Sequence, residues 1–249
     1  MPKALPRLIH LRKLCESLAM GLGAEIANGM RPLVDLVYPP RCPACGAPVA
    51  TQGGLCLDCW GEMAFPPLGD GTGEGQSETN TRPVIAATYY TDVSRKLVIT
   101  FKYGGKISLA RLLGQIISSR MPKERGDSTT LLVPVPLHRT RLWQRGFNQA
   151  ALLASELAKK GHGELVVDGL KRVKRTPSLG GLGREARQAA LQNAIIVPKR
   201  RSSKVSGCNV VLVDDVLTSG ATSDACISAL LSAGARSVRI ACFARVEEG

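Results

Sequence analysis

Residues 210–230, VVLVDDVLTSGATSDACISAL, constrain the fold more tightly than any other stretch of the chain. Val210, Val211, Leu212 and Val213 form a continuous, largely β-branched apolar run. Such a run reads as a strand buried on both faces of a parallel sheet, here ending at the acidic pair Asp214 and Asp215. Thr218, Ser219, Gly220, Ala221 and Thr222 follow, all small or hydroxylated, so that backbone N–H groups can crowd around an anion. Ala225, Leu230 and Leu231 then continue a helix whose N-terminus favours negative charge. Carboxylates at a strand end accept hydrogen bonds from vicinal sugar hydroxyls, and the turn beyond them supplies donors to a phosphate. One loop thereby fits a ribose 5-phosphate from end to end. An ordinary strand-to-helix turn capped by aspartate needs one acid and no run of hydroxyls, and so explains less of the stretch.

A second segment has the same strand–loop–helix order. Residues 129–136, TTLLVPVP, read as a buried strand, and residues 148–160 as a helix. Between them lie His138, Arg139, Arg141 and Arg145, with Gly146 where backbone could approach a ligand closely. Ligands of open parallel sheets lie beyond the carboxyl ends of the strands at a topological switch point, so this loop and the 214–222 loop are expected to face one crevice. A solvated basic turn is the plainer alternative for the arginines. Other expected elements are strands at 84–90, 164–167 and 238–244, the last closing the sheet, and helices at 94–103 and 107–121 separated by Gly104 and Gly105. The GGKI beginning at Gly104 is not a P-loop: it lacks the upstream Gly at the required distance and a Ser or Thr after Lys106.

Cysteine spacing marks a different module. CPACG carries Cys42 and Cys45, and CLDCW carries Cys56 and Cys59. Two CxxC pairs on two turns bring four thiolates to tetrahedral distance of one ion, with Gly46 allowing the tight turn after the first pair. Structural Zn²⁺ is expected, because four cysteine ligands leave no open position for catalysis. Disulfides fit less well with the reducing compartment expected for the chain. Cys15, Cys208, Cys226 and Cys242 show no such pattern and read as small hydrophobes. Residues 66–82, PPLGDGTGEGQSETNTR, lack periodicity and read as a linker. The expected organisation is an N-terminal helix and zinc module over 1–65, a linker over 66–82 and an α/β domain over 83–249.

Composition narrows the class. The 249 residues suffice for one ordinary domain plus a small appendage. No apolar run approaches the ~20 residues of a membrane span. The basic N-terminus lacks an apolar region and cleavage site of secretory type, so a cytoplasmic protein is expected. Leu8, Leu11, Leu14 or Cys15, and Leu18 give residues 5–20 helical spacing, the helix packing on its own domain. A net charge of +13 falls to roughly +11 with four thiolates on one Zn²⁺ and still favours polyanionic partners. The basic runs are not interleaved with aromatic residues as a stacking groove for single strands requires. The run at 198–204, PKRRSSK, reads first as a solvated loop, with nucleic-acid contact the alternative.

The strand, acid pair and TSGAT turn resemble the phosphoribosyl pyrophosphate (PRPP) motif of type I phosphoribosyltransferases. CPACG and CLDCW, then FKYGGK, VPVPLHRTRLWQRGFNQA and LVDDVLTSGAT in that order, resemble the ComF family of competence-associated proteins, similar to the GntX group, over about residues 33–246. The resemblance implies a parallel-sheet, phosphoribosyltransferase-type (Rossmann-like) α/β domain with a small N-terminal zinc module. It implies PRPP or another ribose 5-phosphate ligand with Mg²⁺, and a role in uptake of transforming DNA, with single-stranded DNA or competence machinery as partners. Carried over by residue, Asp214 and Asp215 bind the ribose hydroxyls and serve catalysis, residues 218–222 hold the 5′-phosphate, and Arg139, Arg145 and Gly146 stand on the pyrophosphate side. Lys102 and Tyr103 match a family motif to which the residues alone assign no role. Residues 171–193 resemble a mobile family segment: Arg175, Thr176, Leu182, Arg187 and Asn193 fit, while Leu179 stands where Gln is expected; a lid over pyrophosphate and an ungated basic surface loop are both open readings of it. The expected activity is Mg²⁺-dependent phosphoribosyl transfer to an acceptor that no stretch specifies. The rival is a non-catalytic sensor, or a DNA-uptake adaptor acting through basic residues 171–175 and 198–204.

Overall fold

The computed structural model describes residues 36, 38–67, 83–122, 129–174 and 194–246. The expected helix at 5–20, all but the first two residues of the 66–82 linker, and residues 175–193 of the 171–193 segment lie outside the described residues.

Five strands make one parallel sheet: β1 (Val84–Tyr89), β2 (Thr130–Pro134), β3 (Glu164–Leu165), β6 (Asn209–Leu217) and β7 (Ser237–Arg245), in the order β1-β7-β6-β2-β3. The last strand in sequence does not close the sheet as expected: β7 lies inside it, and β1 and β3 form the edges. A separate antiparallel pair joins β4 (Lys171–Arg172) to β5 (Ile195–Ile196). The connection after β2 leads to β3 on one side, and that after β6 leads to β7 on the other. Since β2 and β6 are neighbours, the sheet reverses direction between them, and their carboxyl ends form the switch point.

Apolar residues of β6 alternate between two cores. Val211 and Val213 face α2 (Asp92–Tyr103), α3 (Leu109–Arg120) and α5 (Gln149–Lys159), together with Leu97, Phe101, Leu113 and Leu153. Val210 and Leu212 face α6 (Lys199–Val205) and α7 (Ala221–Ser232), with Val205, Cys226 and Leu230. Burial on both faces explains why the strand reads as a continuous apolar run. Helix α2 buries Val93, Leu97, Val98 and Phe101 at helical spacing and begins with a capping box between Thr91 and Ser94. Gly114 lets α3 approach α5, where a Cβ would come within 2.6 Å of Glu156 Cβ.

Three expectations are corrected here. Strand β6 does not end at the acid pair; it runs in register with β7 through Asp214↔Cys242 to Leu217↔Arg245, because β7, equally nine residues long, continues to supply hydrogen-bond partners. The arginine-rich loop after β2 contains a short helix, α4 (Arg139–Arg145), capped by His138 Nδ1 accepting from Thr140 N–H, and ended by Gly146 at φ 77°. Residues 198–204 are not a solvated loop but enter helix α6. There Arg201 grips Asp168 through two hydrogen bonds of 2.9 and 3.1 Å, Arg200 adds one of 2.7 Å, and Lys204 pairs with Glu164.

These surface pairs have a modest energetic role. Arg201, with Arg200 beside it, holds the Asp168 carboxyl below its ordinary value of about 3.9, against a smaller effect of burial. A lowered folded value adds stability above the unfolded value that disappears as pH falls through the folded one. We expect Asp168→Asn to lower Tm by about 1–3 °C at pH 7, and the difference to shrink in thermal melts as the pH falls below the ordinary carboxylate value of about 3.9.

The cysteine module docks on the sheet. Ala64 O accepts from Tyr89 N–H at 2.8 Å and from Thr88 Oγ1 at 2.6 Å, while Arg120 donates to Pro66 O at 3.0 Å and lies over the Phe65 ring. Cys42, Cys59 and Met63 belong to the same buried cluster as Phe101 and Leu113. Edge strand β1 is thus covered at its carboxyl end, where unpaired backbone groups would otherwise face solvent.

Candidate functional site

Two centres emerge, and their distinct chemistries follow from the residues that build them. The first is the cysteine cluster. Gly46 at φ 81° closes the turn after the first pair, with Gly46 N–H donating to Cys42 O and Cys42 N–H to Ala47 O. Cys56 caps the short helix α1 (Leu57–Gly61), its sulfur accepting from Cys59 N–H at 3.4 Å. The four Sγ atoms of Cys42, Cys45, Cys56 and Cys59 lie within 4.8 Å of one another, with Cys45 and Cys56 at 3.5 Å. A tetrahedral ZnS₄ centre with bonds of about 2.3 Å needs sulfurs about 3.8 Å apart, so the set fits.

The electrostatics fit as well. Burial works against ionising Cys42, but backbone donors at Cys56, Ala44 and Cys45 outweigh it and bring the thiol down to about 6. Burial, then the neighbouring sulfurs, pushes Cys59 up, so four thiolates coexist only around a cation. All described cysteines are free thiols. Cys226 and Cys242 are fully buried, and burial also pushes them up, in keeping with their expected role as small hydrophobes.

The second centre lies at the carboxyl end of β6. Asp214 and residues 216–223 line an open cleft. Gly220 serves as N-cap of α7 at φ 72°, a conformation costly for any residue with a Cβ, and it turns the chain so that the first N–H groups of the helix face the cleft end. Ala221 packs with Ala194 and Ala225, placing the β4–β5 pair beside the start of α7.

The acid pair is divided between the two faces of the sheet. Since β6 remains a regular strand, Asp214 continues the face of Val210 and Leu212, and Asp215 the face of Val211 and Val213. Asp214 lines the cleft; Asp215, only 7% exposed, forms an ion pair with Lys102 Nζ at 3.1 Å. Burial first, then the Asp215 charge, pushes the Asp214 carboxyl up to about 7, against the Asp215 N–H donated to Asp214 Oδ1 at 2.8 Å and the Lys102 charge.

The motif residues Lys102 and Tyr103, given no role by the sequence, end α2 beside this site. Tyr103 OH accepts from an Arg145 terminal nitrogen at 3.1 Å, and the guanidinium lies 5.1 Å from the ring centroid. One dipeptide therefore touches both the acid pair and the arginine helix. Only its place in FKYGGK flags it in the sequence, since the pairing partners are 113 and 42 residues away (215 − 102 and 145 − 103).

The remaining expected site residues stand as follows. Val135 N–H donates to Val213 O, which keeps the loops after β2 and β6 side by side. Thr218 is exposed, and Ser219 and Thr222 half-buried, along the cleft. Arg139 is exposed at the start of α4, and Arg145 bonds Tyr103 and Gln149. Gly146 ends α4, its N–H donating to Leu142 O at 2.8 Å.

Known proteins correspond to both parts. The double zinc ribbon domain family model matches residues 33–70, and the phosphoribosyl transferase domain model matches residues 144–249. The chain is 30% identical over 194 residues to "Competence protein ComFC" of Bacillus subtilis, covering 78% of this chain and 72% of that protein. It is 30% identical over 230 residues to "DNA utilization protein YhgH" of Salmonella typhimurium, covering 90% of each. It is 28% identical over 222 residues to "Competence protein F" of Haemophilus influenzae, covering 82% of this chain and 96% of that one. With the four-cysteine cluster, the parallel sheet and this span of similarity together, the chain belongs to the ComF and YhgH family, a zinc-ribbon module joined to a phosphoribosyltransferase-type domain.

Proposed function

We propose that this protein binds PRPP and transfers its phosphoribosyl group, with Mg²⁺, to an acceptor. The observation that carries the reading is the cleft formed by Asp214 and residues 216–223, in which a carboxylate and a helix N-terminus stand at opposite ends of one loop. Residues 218–222 and the first turn of α7 hold the 5′-phosphate, since their donors are backbone N–H and hydroxyl groups at the positive end of a helix. Asp214 accepts from ribose hydroxyls and, with Asp215 behind it, offsets positive charge developing on the sugar ring as pyrophosphate leaves. Arg139 and Arg145, carried by α4 at the neighbouring strand end, take the diphosphate side, with Gly146 setting where that helix stops. Bound with the diphosphate, Mg²⁺ supplies charge neutralisation to the leaving group. In the same reading the zinc module covers 36–65 and the transferase domain 83–246 of the described residues, and the zinc is structural.

Pyrophosphate release tests the activity. Purified protein with Mg²⁺ and PRPP, offered nucleobases, amines and single-stranded DNA in turn, is expected to release pyrophosphate with one class of acceptor. If none does so while PRPP still raises Tm, transfer is excluded and a PRPP sensor takes its place.

A second reading has support in the relatives' names, which speak of competence and DNA utilization. The basic helix α6 is a poor DNA surface, because Arg200, Arg201 and Lys204 are already paired with acids. Helix α4 is a better one, and corrects the expectation that the basic runs carry no interleaved aromatic: Trp143, 92% exposed, lies between Arg141 and Arg145, with Arg139 at the helix start. Single-stranded DNA binding whose salt slope shrinks on Arg139→Ala, yet survives Asp214→Ala, would favour an adaptor role.

A further inference from the structure

We propose that Lys102 is the positioning residue of the acid pair: it holds the Asp215 side chain on the α2 face, and so leaves Asp214 as the member that meets the sugar hydroxyls. The inference rests on the ribose reading of the cleft given above and assigns roles within it.

The geometry provides three supports. Regular pairing of β6 with β7 as far as Leu217 sends the two side chains to opposite faces, so they cannot act as one bidentate grip. Lys102 Nζ sits 3.1 Å from Asp215 Oδ1, with the lysine side chain 22% and the aspartate side chain 10% exposed, a setting in which an ion pair is screened little. Asp214 alone of the two lines the cleft. Two like charges on consecutive residues oppose each other's ionisation, and a cation fixed to one of them relieves the other.

The Lys102 charge favours ionisation of Asp214, against burial and the Asp215 charge. The other titratable groups facing Asp214 are the thiols of Cys226 on α7 and Cys242 on β7. Both are pushed up and so neutral at physiological pH, with Arg172 and Arg245 acting on those thiols. Removing the lysine charge therefore raises the pH at which Asp214 ionises, and with it the pH at which the cleft presents an acceptor to a diol.

Isothermal titration of the full chain with ribose 5-phosphate and with 2-deoxyribose 5-phosphate isolates this contact. The ratio of the two affinities cancels the titration of the phosphate, which both probes share. We expect the wild type to prefer the ribose form about tenfold at pH 8.5 and to lose that preference with a midpoint near pH 7 as the pH falls. Lys102→Met is expected to move the midpoint up by about one pH unit, and Lys102→Arg to restore it. Asp214→Asn should remove the pH dependence of the ratio, whereas Asp215→Asn should lower the midpoint. A lysine with a purely structural role would lower Tm or both affinities without moving the midpoint, and an unmoved midpoint in Lys102→Met overturns the proposal while leaving the ribose reading intact. Absence of heat with either sugar phosphate in the wild type overturns the ribose reading itself, and this inference with it.

Discussion

Gly220→Val is expected to lower the affinity for ribose 5-phosphate by about a hundredfold or more while the protein still melts cooperatively. Gly220 sits at φ 72° as the residue from which α7 starts, and a β-branched side chain there is disfavoured by about 1–2 kcal/mol. The chain escapes that strain by changing φ, and the N–H groups of the first turn then no longer converge on the cleft. Losing two hydrogen bonds to a charged phosphate, each contributing about 1.5 kcal/mol, corresponds to roughly a hundredfold in affinity. The fold survives because neither core depends on Gly220: α7 is held by Cys226, Ile227 and Leu230. Titration calorimetry beside circular dichroism melts decides the matter. Affinity within about fivefold of wild type, in a normally folded variant, would remove the phosphate from this loop.

Cys59→Ser should have the largest effect on stability. Four sulfurs poised around one position lose a ligand, and zinc content measured by atomic emission is expected to fall from about one ion per chain to a small fraction. The damage extends beyond the module, because Cys42, Cys59 and Met63 pack into the core that also holds Phe101 and Leu113. If about 3 kcal/mol of docking is lost, Tm falls by roughly 6–12 °C for a chain of this size. The same dependence applies to a fragment beginning at residue 84. Such a piece forfeits the Ala64 carbonyl that pairs with Thr88 and Tyr89, and the Phe65–Arg120 contact, so it is expected to be less soluble than the whole chain. Unchanged metal content in Cys59→Ser would show that the four thiols hold no zinc.

Legibility in the sequence followed the range of the interactions. A buried strand, a CxxC pair or a glycine turn is encoded within a few residues, so the parallel sheet, the cysteine centre and the hydroxyl-lined loop were all readable from local pattern. The short helix after β2 was missed because arginines and a glycine read equally well as loop, whereas in the structure His138 caps it and Asn148 fixes the turn beyond it. The basic run at 198–204 was misread for a different reason: its acids, Glu164 and Asp168, come from another part of the chain.

By itself the amino-acid order determined which chemical groups are present and that a strand, a turn and a helix N-terminus follow one another. Tertiary structure alone decided how those groups divide. Strand β7 is long enough to keep β6 extended past its acids, which turns Asp214 toward the cleft and Asp215 toward α2. The ammonium that meets Asp215 arrives from a helix more than a hundred residues earlier. Such a contact is set by how helices pack across a sheet, and no spacing along the chain records it.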